Sequence, residues 1–388
     1  MTGMPSIASD VAHSSNLRTG LFSSEPRMLN WLLILVPVAI GLDFFRPEAH
    51  TYIFIAACLS IVPLAGWLGR ATEHVAHHAG EGISGLLNAT FGNAAELIIA
   101  FAALQKGLYD VVKASLTGSI IGNILLVLGA SALAGGFRYR TQRFNTTAAS
   151  AQAILLTLAA IGLIMPAAFH HLRRSGDASP ENTLGLDISI VLLFAYAAHL
   201  TFSVHTHKAL FLGKPVAVGD GIDTPWSLRK AVLILGAATT LVAWISEILV
   251  GSVQQAATAF GMTQIFVGVV VVAIVGNAAE HSTAVISALK DRMELSFGIA
   301  VGSSLQIALF VAPILVVLSH FIGPRPMDLA FTPAEVLAIF VSVLITGQVA
   351  ADGETNWLEG AQLLAVYLIL VLVFYFLPDV AAPLPLPR

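Results

Sequence analysis

Charge, cysteine and cofactor motifs are all scarce in this chain of 388 residues. Lys, Arg, Asp and Glu make up 11% of it, less than half of the roughly 25% found in soluble domains. That shortage argues against a soluble globular enzyme, and the high apolar content against a disordered chain. The single cysteine, Cys58, has no partner within the chain, so no internal disulfide forms. A net charge of −4 and a pI near 6.3 leave no basic footprint for nucleic acid. No GxxxxGK[ST] loop is present, so ATP-driven work is not expected, and no cofactor is expected. The HExxH order of a zinc protease is missing too: in Glu73-His74-Val75-Ala76-His77-His78 the acid precedes the first histidine. His77 and His78 are expected in a short solvated loop. The Ser/Lys and paired-Asp constellations of an intramembrane hydrolase are likewise absent.

What fills the chain instead is apolar: 56% of residues, with a mean hydropathy of +0.83. At about 20 residues per crossing, this predicts an all-α polytopic protein of the lipid bilayer. Eleven apolar runs bounded by charge, Gly or Pro cover roughly 28–45, 50–69, 86–105, 113–136, 147–168, 185–211, 230–253, 262–288, 296–320, 330–350 and 358–377. Residues 1–27 read as a polar N-terminal tail. With eleven spans and a cytoplasmic N-terminus, twelve Lys and Arg residues fall on the cytoplasmic side against seven opposite, which satisfies the positive-inside rule. A bacterial plasma (inner) membrane is expected from the compactness of the chain. The oligomeric state is left open.

One pentapeptide occurs twice. Gly92-Asn93-Ala94-Ala95-Glu96 in the third run returns as Gly276-Asn277-Ala278-Ala279-Glu280 in the eighth, and Ala100/Ala284 and Lys106/Lys290 keep the same offset. The next runs also correspond: Gly118-Ser119 aligns with Gly302-Ser303, and Asn123 falls one position from Gln306. An odd separation of five spans sends the copies across the bilayer in opposite directions, the inverted repeat of many secondary transporters. This divides the chain into a peripheral first helix (28–45), one repeat half (46–211), a short cytoplasmic linker (212–229) and a second half (230–378). Tight helix packing accounts for the repeated Gly and Ala. It does not account for an acid kept in hydrocarbon twice, since intramembrane carboxylates are costly and functional by default.

On an unbroken helix Gly92, Asn93 and Glu96 share a face with Asn88, as Gly276, Asn277 and Glu280 do in the second copy. Ser115, Ser119 and Asn123 form a polar stripe in the fourth run, and Ser303 and Gln306 a shorter one in the ninth. These stripes are expected to converge, because lipid penalises each alone. The pooled donors are carboxylate, amide and hydroxyl oxygens without thiolate, a set that suits a hard cation such as calcium. Expected ligands are Glu96, Glu280, Asn93, Asn277, Asn88, Ser119, Ser303 and Gln306, and calcium is expected as a transported substrate. His281 complicates the hard-cation assignment. Two carboxylates in one low-dielectric cavity resist ionising together, whereas a divalent cation needs both ionised. Metal and protons then compete for the same oxygens, and obligatory exchange follows if access switches only when that charge is neutralised. Glu73 and Glu247, near helix ends, with His281 and Asn123, are candidate proton-relay or gate residues. An interfacial ion pair of Glu73 with Arg70 is an equal reading, and Glu335 reads as structural. Manganese, sodium and potassium stay open as cargo. A cation channel stays open as well, although an inverted repeat in one chain favours alternating access.

The paired segments GNAAELIIA and GNAAEHSTAV, with SLTGSIIGNILLVLGAS and GIAVGSSLQIALFVAP after them, resemble the proton/calcium antiporter branch of the cation/calcium exchanger superfamily. LAGWLGRATEHVA, WISEILVGSV and DGETNWLEGAQLLAVYLIL extend the likeness from about residue 50 to 377. The resemblance implies one extra helix plus two inverted five-helix halves, with Glu96 and Glu280 as central cation ligands. It also implies Glu73 and Glu247 as accessory acids. The link at 212–229 is short and lacks the long acidic helix of some relatives.

Overall fold

The computed structural model describes residues 30–79, 87, 90–172, 179–207 and 226–378. The expected tail, most of the linker and Asn88 lie outside the described residues. Among the described residues, twelve helical segments of ten or more residues follow one another. They are α1 (Asn30–Phe45), α2 (His50–Ala79), α3 (Ala94–Gln105), α4 (Tyr109–Arg138), α5 (Thr146–Leu172) and α6 (Pro180–Thr206). The later ones are α7 (Leu228–Phe260), α8 (Gln264–Gly276), α9 (Ala278–Leu289), α10 (Met293–Ser319), α11 (Pro333–Asp352) and α12 (Trp357–Phe376). Eight are long and apolar enough to cross a bilayer, and the bent pair α8–α9 makes a ninth. Each of the eleven expected runs holds a helix, but α1 and α3 are too short to count as crossings by length alone.

Helices dominate because a chain in hydrocarbon must satisfy its backbone polar groups within each segment. Their ends carry recognisable stops. Thr332 and Glu335 form a reciprocal capping box at the start of α11, and the Asn356 side chain accepts from Leu358 and Glu359 at the start of α12. Gly261 and Gly353 close α7 and α11 in the left-handed region, at φ 66° and 73°. Outward faces carry large apolar side chains such as Ile154, Phe194 and Leu233, each more than 70% exposed, as lipid-facing surfaces require. The one sheet among the described residues is a two-stranded antiparallel clip, β1 (Gln142–Arg143) with β2 (Glu354–Thr355), in the register Gln142↔Thr355.

The buried side chains fall into two cores. One is built by α1, α2 and α7 around Ile53, Ile61, Leu68, Val242 and Ile245. The larger one gathers α4, α5, α6, α10, α11 and α12 around Ile120, Leu125, Leu163, Leu305 and Leu315. The α3 and α8 helices contribute to both: Ala94, Ala95, Ile99 and Val272 face the first, and Ala103, Leu104, Phe266 and Val269 the second. The repeated pentapeptides therefore sit on the seam between two bodies. At that seam α4 and α8 come within backbone contact, because Gly118 has no side chain where it meets Val269.

Two boundaries correct the sequence reading. The second helix runs to Ala79, so His77 and His78 ride on its last turn rather than in a loop. His78 Nε2 there contacts the Trp226 carbonyl at 2.8 Å, which helps hold the extra turns against the start of α7. That helix in turn reaches Phe260, past the expected end at 253.

Candidate functional site

Each pentapeptide lies where a helix is interrupted. The α8 and α9 axes bend by 62° at Asn277, and the chain turns at Gly92-Asn93 before α3 begins. Asn93 and Asn277 leave helical geometry in the same way, at φ −102°, ψ 30° and φ −91°, ψ 5°. Both start a half-helix of 12 residues. The expectation of one continuous face shared by Gly92 and Glu96 is therefore corrected. Glu96 and Glu280 instead occupy the first turn of a half-helix, where the helix dipole favours negative charge. The last carbonyls of α8 end at the same break, and their partial negative charge favours a cation.

Asparagine at a helix start ordinarily caps its own helix, worth about 1 kcal/mol. Neither Asn93 nor Asn277 does so. Each side chain crosses to the other repeat. Asn93 Nδ2 donates to Gln306 Oε1, and Asn93 Oδ1 accepts from Ser303 Oγ at 2.8 Å. Asn277 Nδ2 donates to Ser119 Oγ at 3.0 Å, and Asn277 Oδ1 accepts from Asn123 Nδ2 at 3.3 Å. Asn123 Nδ2 also reaches Ser303 Oγ at 2.9 Å, which closes the network. Asn123, a gate candidate by sequence, is fully buried at its centre, and its Oδ1 has no partner.

Beside this network lies a cavity of about 340 Å³ lined by Glu96, Glu280, Ser303, Gln306, Arg70 and Glu73, among others. Glu96 is 6% exposed. Its carboxylate lies against Gly276, where a Cβ would stand 3.5 Å from Oε1. The first residue of one pentapeptide thus makes room for the last residue of the other, a role the repeat alone does not reveal. Glu280 Oε2 is buried with no hydrogen-bond partner, an oxygen free for a cation or a proton. Glu73 is exposed and marks the mouth. Arg70 does not pair with it within 4.0 Å. Its guanidinium lies 4.3 Å over the Trp67 ring and donates to the Gly66 carbonyl at 3.3 Å.

Glu247 does not join this cavity. It lines a second one, also about 340 Å³, with Asp43, His50, Lys106, Trp244 and Ser252. Ile99, Ala103, Val112, Leu249, Val253 and Val272 line a separate, small apolar pocket. Ser115 lines that pocket, and it stands one regular helical turn before Ser119 in α4. The α4 helix widens into π-helical turns over Gly122–Val127, a change of register that periodicity alone misses. His281 follows Glu280 with its Nε2 buried and unpartnered. Glu335 is 2% exposed and accepts from Thr332 N and Oγ1 at 2.8 Å each and from Thr117 Oγ1 at 3.3 Å, so it ties α11 to α4 at a distance from the central cavity.

The chain matches the sodium/calcium exchanger protein family over residues 49–205 and 230–376. It is 41% identical to the Ca2+/H+ antiporter of Synechocystis sp. over 378 residues, which covers 92% of this chain and 99% of that relative. Its identity to the Ca2+/H+ antiporter ChaA of Bacillus subtilis is 44% over 349 residues, covering 89% and 98%. Among solved structures, native YfkE superposes with a TM-score of 0.76 at 41% identity, over 89% of this chain and 100% of that one. The H+/Ca2+ exchanger CAX, at 13% identity, shares the fold with a TM-score of 0.67 over 91% and 93%. Both repeat-bearing segments fall within the matched regions, and full-length relatives exceed 40% identity: the chain belongs to the sodium/calcium exchanger protein family.

Proposed function

We propose that this protein is a secondary transporter that exchanges calcium for protons by alternating access, with Glu96 and Glu280 as the shared station. The observation that carries this reading is the placement of both glutamates, one from each repeat, on a single cavity at the seam between two cores. Calcium takes 6–8 oxygens and accepts irregular geometry. The glutamates supply carboxylate oxygens, and Ser303 and Gln306 on the same wall add neutral ones. The Asn93 and Asn277 amides are held by the opposite repeat, so they position the site and join it if a cation displaces their present bonds. Empty of cation, two close carboxylates in low dielectric retain protons, because neither tolerates the other's charge. Calcium must displace those protons to bind, so each ligand is carried only in the absence of the other. The antiporter relatives at 41% and 44% identity support this pairing of substrates.

We read the side of the exposed Glu73 as the face on which the central cavity opens. With a cytoplasmic N-terminus that face is the cytoplasm, and α1 and α3 complete eleven crossings between two inverted halves. Export from the cytoplasm across a bacterial inner membrane fits this orientation, and bacterial relatives support the location. Purified protein in proteoliposomes under an imposed pH gradient tests the reading. Calcium should move against the proton flux and be outcompeted poorly by manganese, sodium or potassium. Glu96→Gln and Glu280→Gln should each cut exchange by about a hundredfold or more, since an uncharged amide forfeits both the cation contact and the proton. Calcium that neither moves nor competes removes the ion assignment, and undiminished exchange by the variants removes the carboxylate station.

A further inference from the structure

The cavity around Glu247 contains a side-chain cation that the exchange reading leaves unused. Lys106 follows the last turn of α3, the half-helix that begins beside Glu96. Its ammonium donates to the main-chain carbonyl of Glu247 at 2.9 Å, rather than to a carboxylate. Gly251 makes that contact reachable: a Cβ there would lie 3.1 Å from Nζ. Asp43 and Glu247 line the same cavity, and neither forms an ion pair within 4.0 Å among the described residues. The other titratable group on the wall is His50. A fixed positive charge thus sits beside two unpaired acids, in a cavity separate from the one that Glu96 and Glu280 line.

We propose that Lys106 is a specificity-determining residue of the Glu247 vestibule, a tethered cation that offsets part of the Asp43 and Glu247 charge and so weakens the vestibule's hold on divalent ions more than its hold on protons. This rests on the calcium/proton reading above. Coulomb repulsion scales with the charge of the visitor, so calcium meets twice the penalty of a monovalent ion at the same distance. A charge at the vestibule also acts on ions still in solution, and salt weakens it. The two mouths therefore differ. At the Glu73 mouth the Arg70 charge rests on an indole ring and a backbone carbonyl of its own helix. At the Glu247 mouth the ammonium rests on α7 itself. Calcium released toward Glu247 is therefore held there less strongly than the two acids alone would hold it. Lys106 acts on the incoming ion through the field, as a positioning and selectivity group, and binds no metal.

The test toggles the charge on folded protein. A Lys106→Cys variant is reconstituted in vesicles of one orientation and labelled with either a trimethylammonioethyl or a sulfonatoethyl methanethiosulfonate. These are similar in size and opposite in charge. The native Cys58 is buried, and Cys58→Ala supplies a clean background. KM for calcium is then measured from each face. The expected result is a KM on the Glu247 face about five- to tenfold lower with the anionic label than with the cationic one, the scale of a divalent ion roughly 10 Å from a unit charge in a hydrated cavity. The cationic label and Lys106→Arg should both restore the wild-type value, KM on the Glu73 face should move by less than about twofold, and salt should shrink the difference. A KM indifferent to the label's charge, a shift shared by both faces, or a cysteine that no reagent reaches overturns the proposal. Wild-type vesicles that fail to exchange calcium for protons would instead remove the underlying function.

Discussion

Replacing Gly118 by Ala tests whether the site depends on the close crossing of α4 and α8. A Cβ built at Gly118 falls 2.6 Å from Val269 Cα and 2.5 Å from its carbonyl carbon. Carbon pairs rest at about 3.5–4.0 Å, so the two backbones must part by about 1 Å. Neither neighbour is the free end of a side chain, and the strain has no cheap outlet. Overpacking of this kind costs about 1–3 kcal/mol. The functional cost is larger. Ser119 is the next residue, and its 3.0 Å bond from Asn277 Nδ2 would stretch to about 4 Å, beyond hydrogen-bond range. The amide at the α8–α9 break would then lose its anchor to the other repeat. Calcium flux into proteoliposomes, read with a trapped fluorescent indicator under a pH gradient, should fall at least about tenfold, since a displacement of about 1 Å can cost more than that in a preorganised site. Gly122→Ala, one turn along the same helix, has nothing within 4 Å of its added methyl and should transport normally. If Gly118→Ala folds and exchanges like Gly122→Ala, the close crossing does not set the site geometry and the reasoning fails.

Two further outcomes follow from the same network. Asn123→Ala removes both donated bonds and leaves the Asn277 and Ser303 oxygens short of a buried partner, a loss of about 2–4 kcal/mol. The thermal unfolding midpoint in detergent should drop accordingly, and an unchanged midpoint would show that water replaces the amide. Calcium affinity should weaken as pH falls, because protonation removes the anionic oxygens the cation needs. The steepest slope is about tenfold in Kd per pH unit for each proton displaced. Calorimetry in buffers of different ionisation heat counts those protons, and binding without proton release would contradict competition at one station.

The legible part of this protein was set by composition and by the repeat. Eleven apolar runs each hold a helix, because a segment poor in charge has no other way to satisfy its backbone in lipid. The two GNAAE segments drew attention to Glu96 and Glu280, which line one cavity. Periodicity was a poorer guide to faces. It assumed unbroken helices at Asn93 and Asn277 and even turns through Asn123, whereas the first two interrupt their helices and the third lies in π-helical turns. Glu73 and Glu247, grouped by position near helix ends, line separate cavities. The paths they line depend on how α2 and α7 lie against the rest, which no spacing within either helix encodes.

By itself, then, the sequence determined the solvent of this protein, its helical makeup and the pair of acids that lipid would not tolerate without a purpose. The tertiary structure decided that each Asn gives up its own helix cap for a partner in the opposite repeat, that Gly276 clears space for Glu96, and that Glu73 and Glu247 line different cavities. The reason is physical. Transfer into hydrocarbon is a sum over residues and can be read from a list of them, but a hydrogen bond between residues more than 150 positions apart exists only once both bodies have packed.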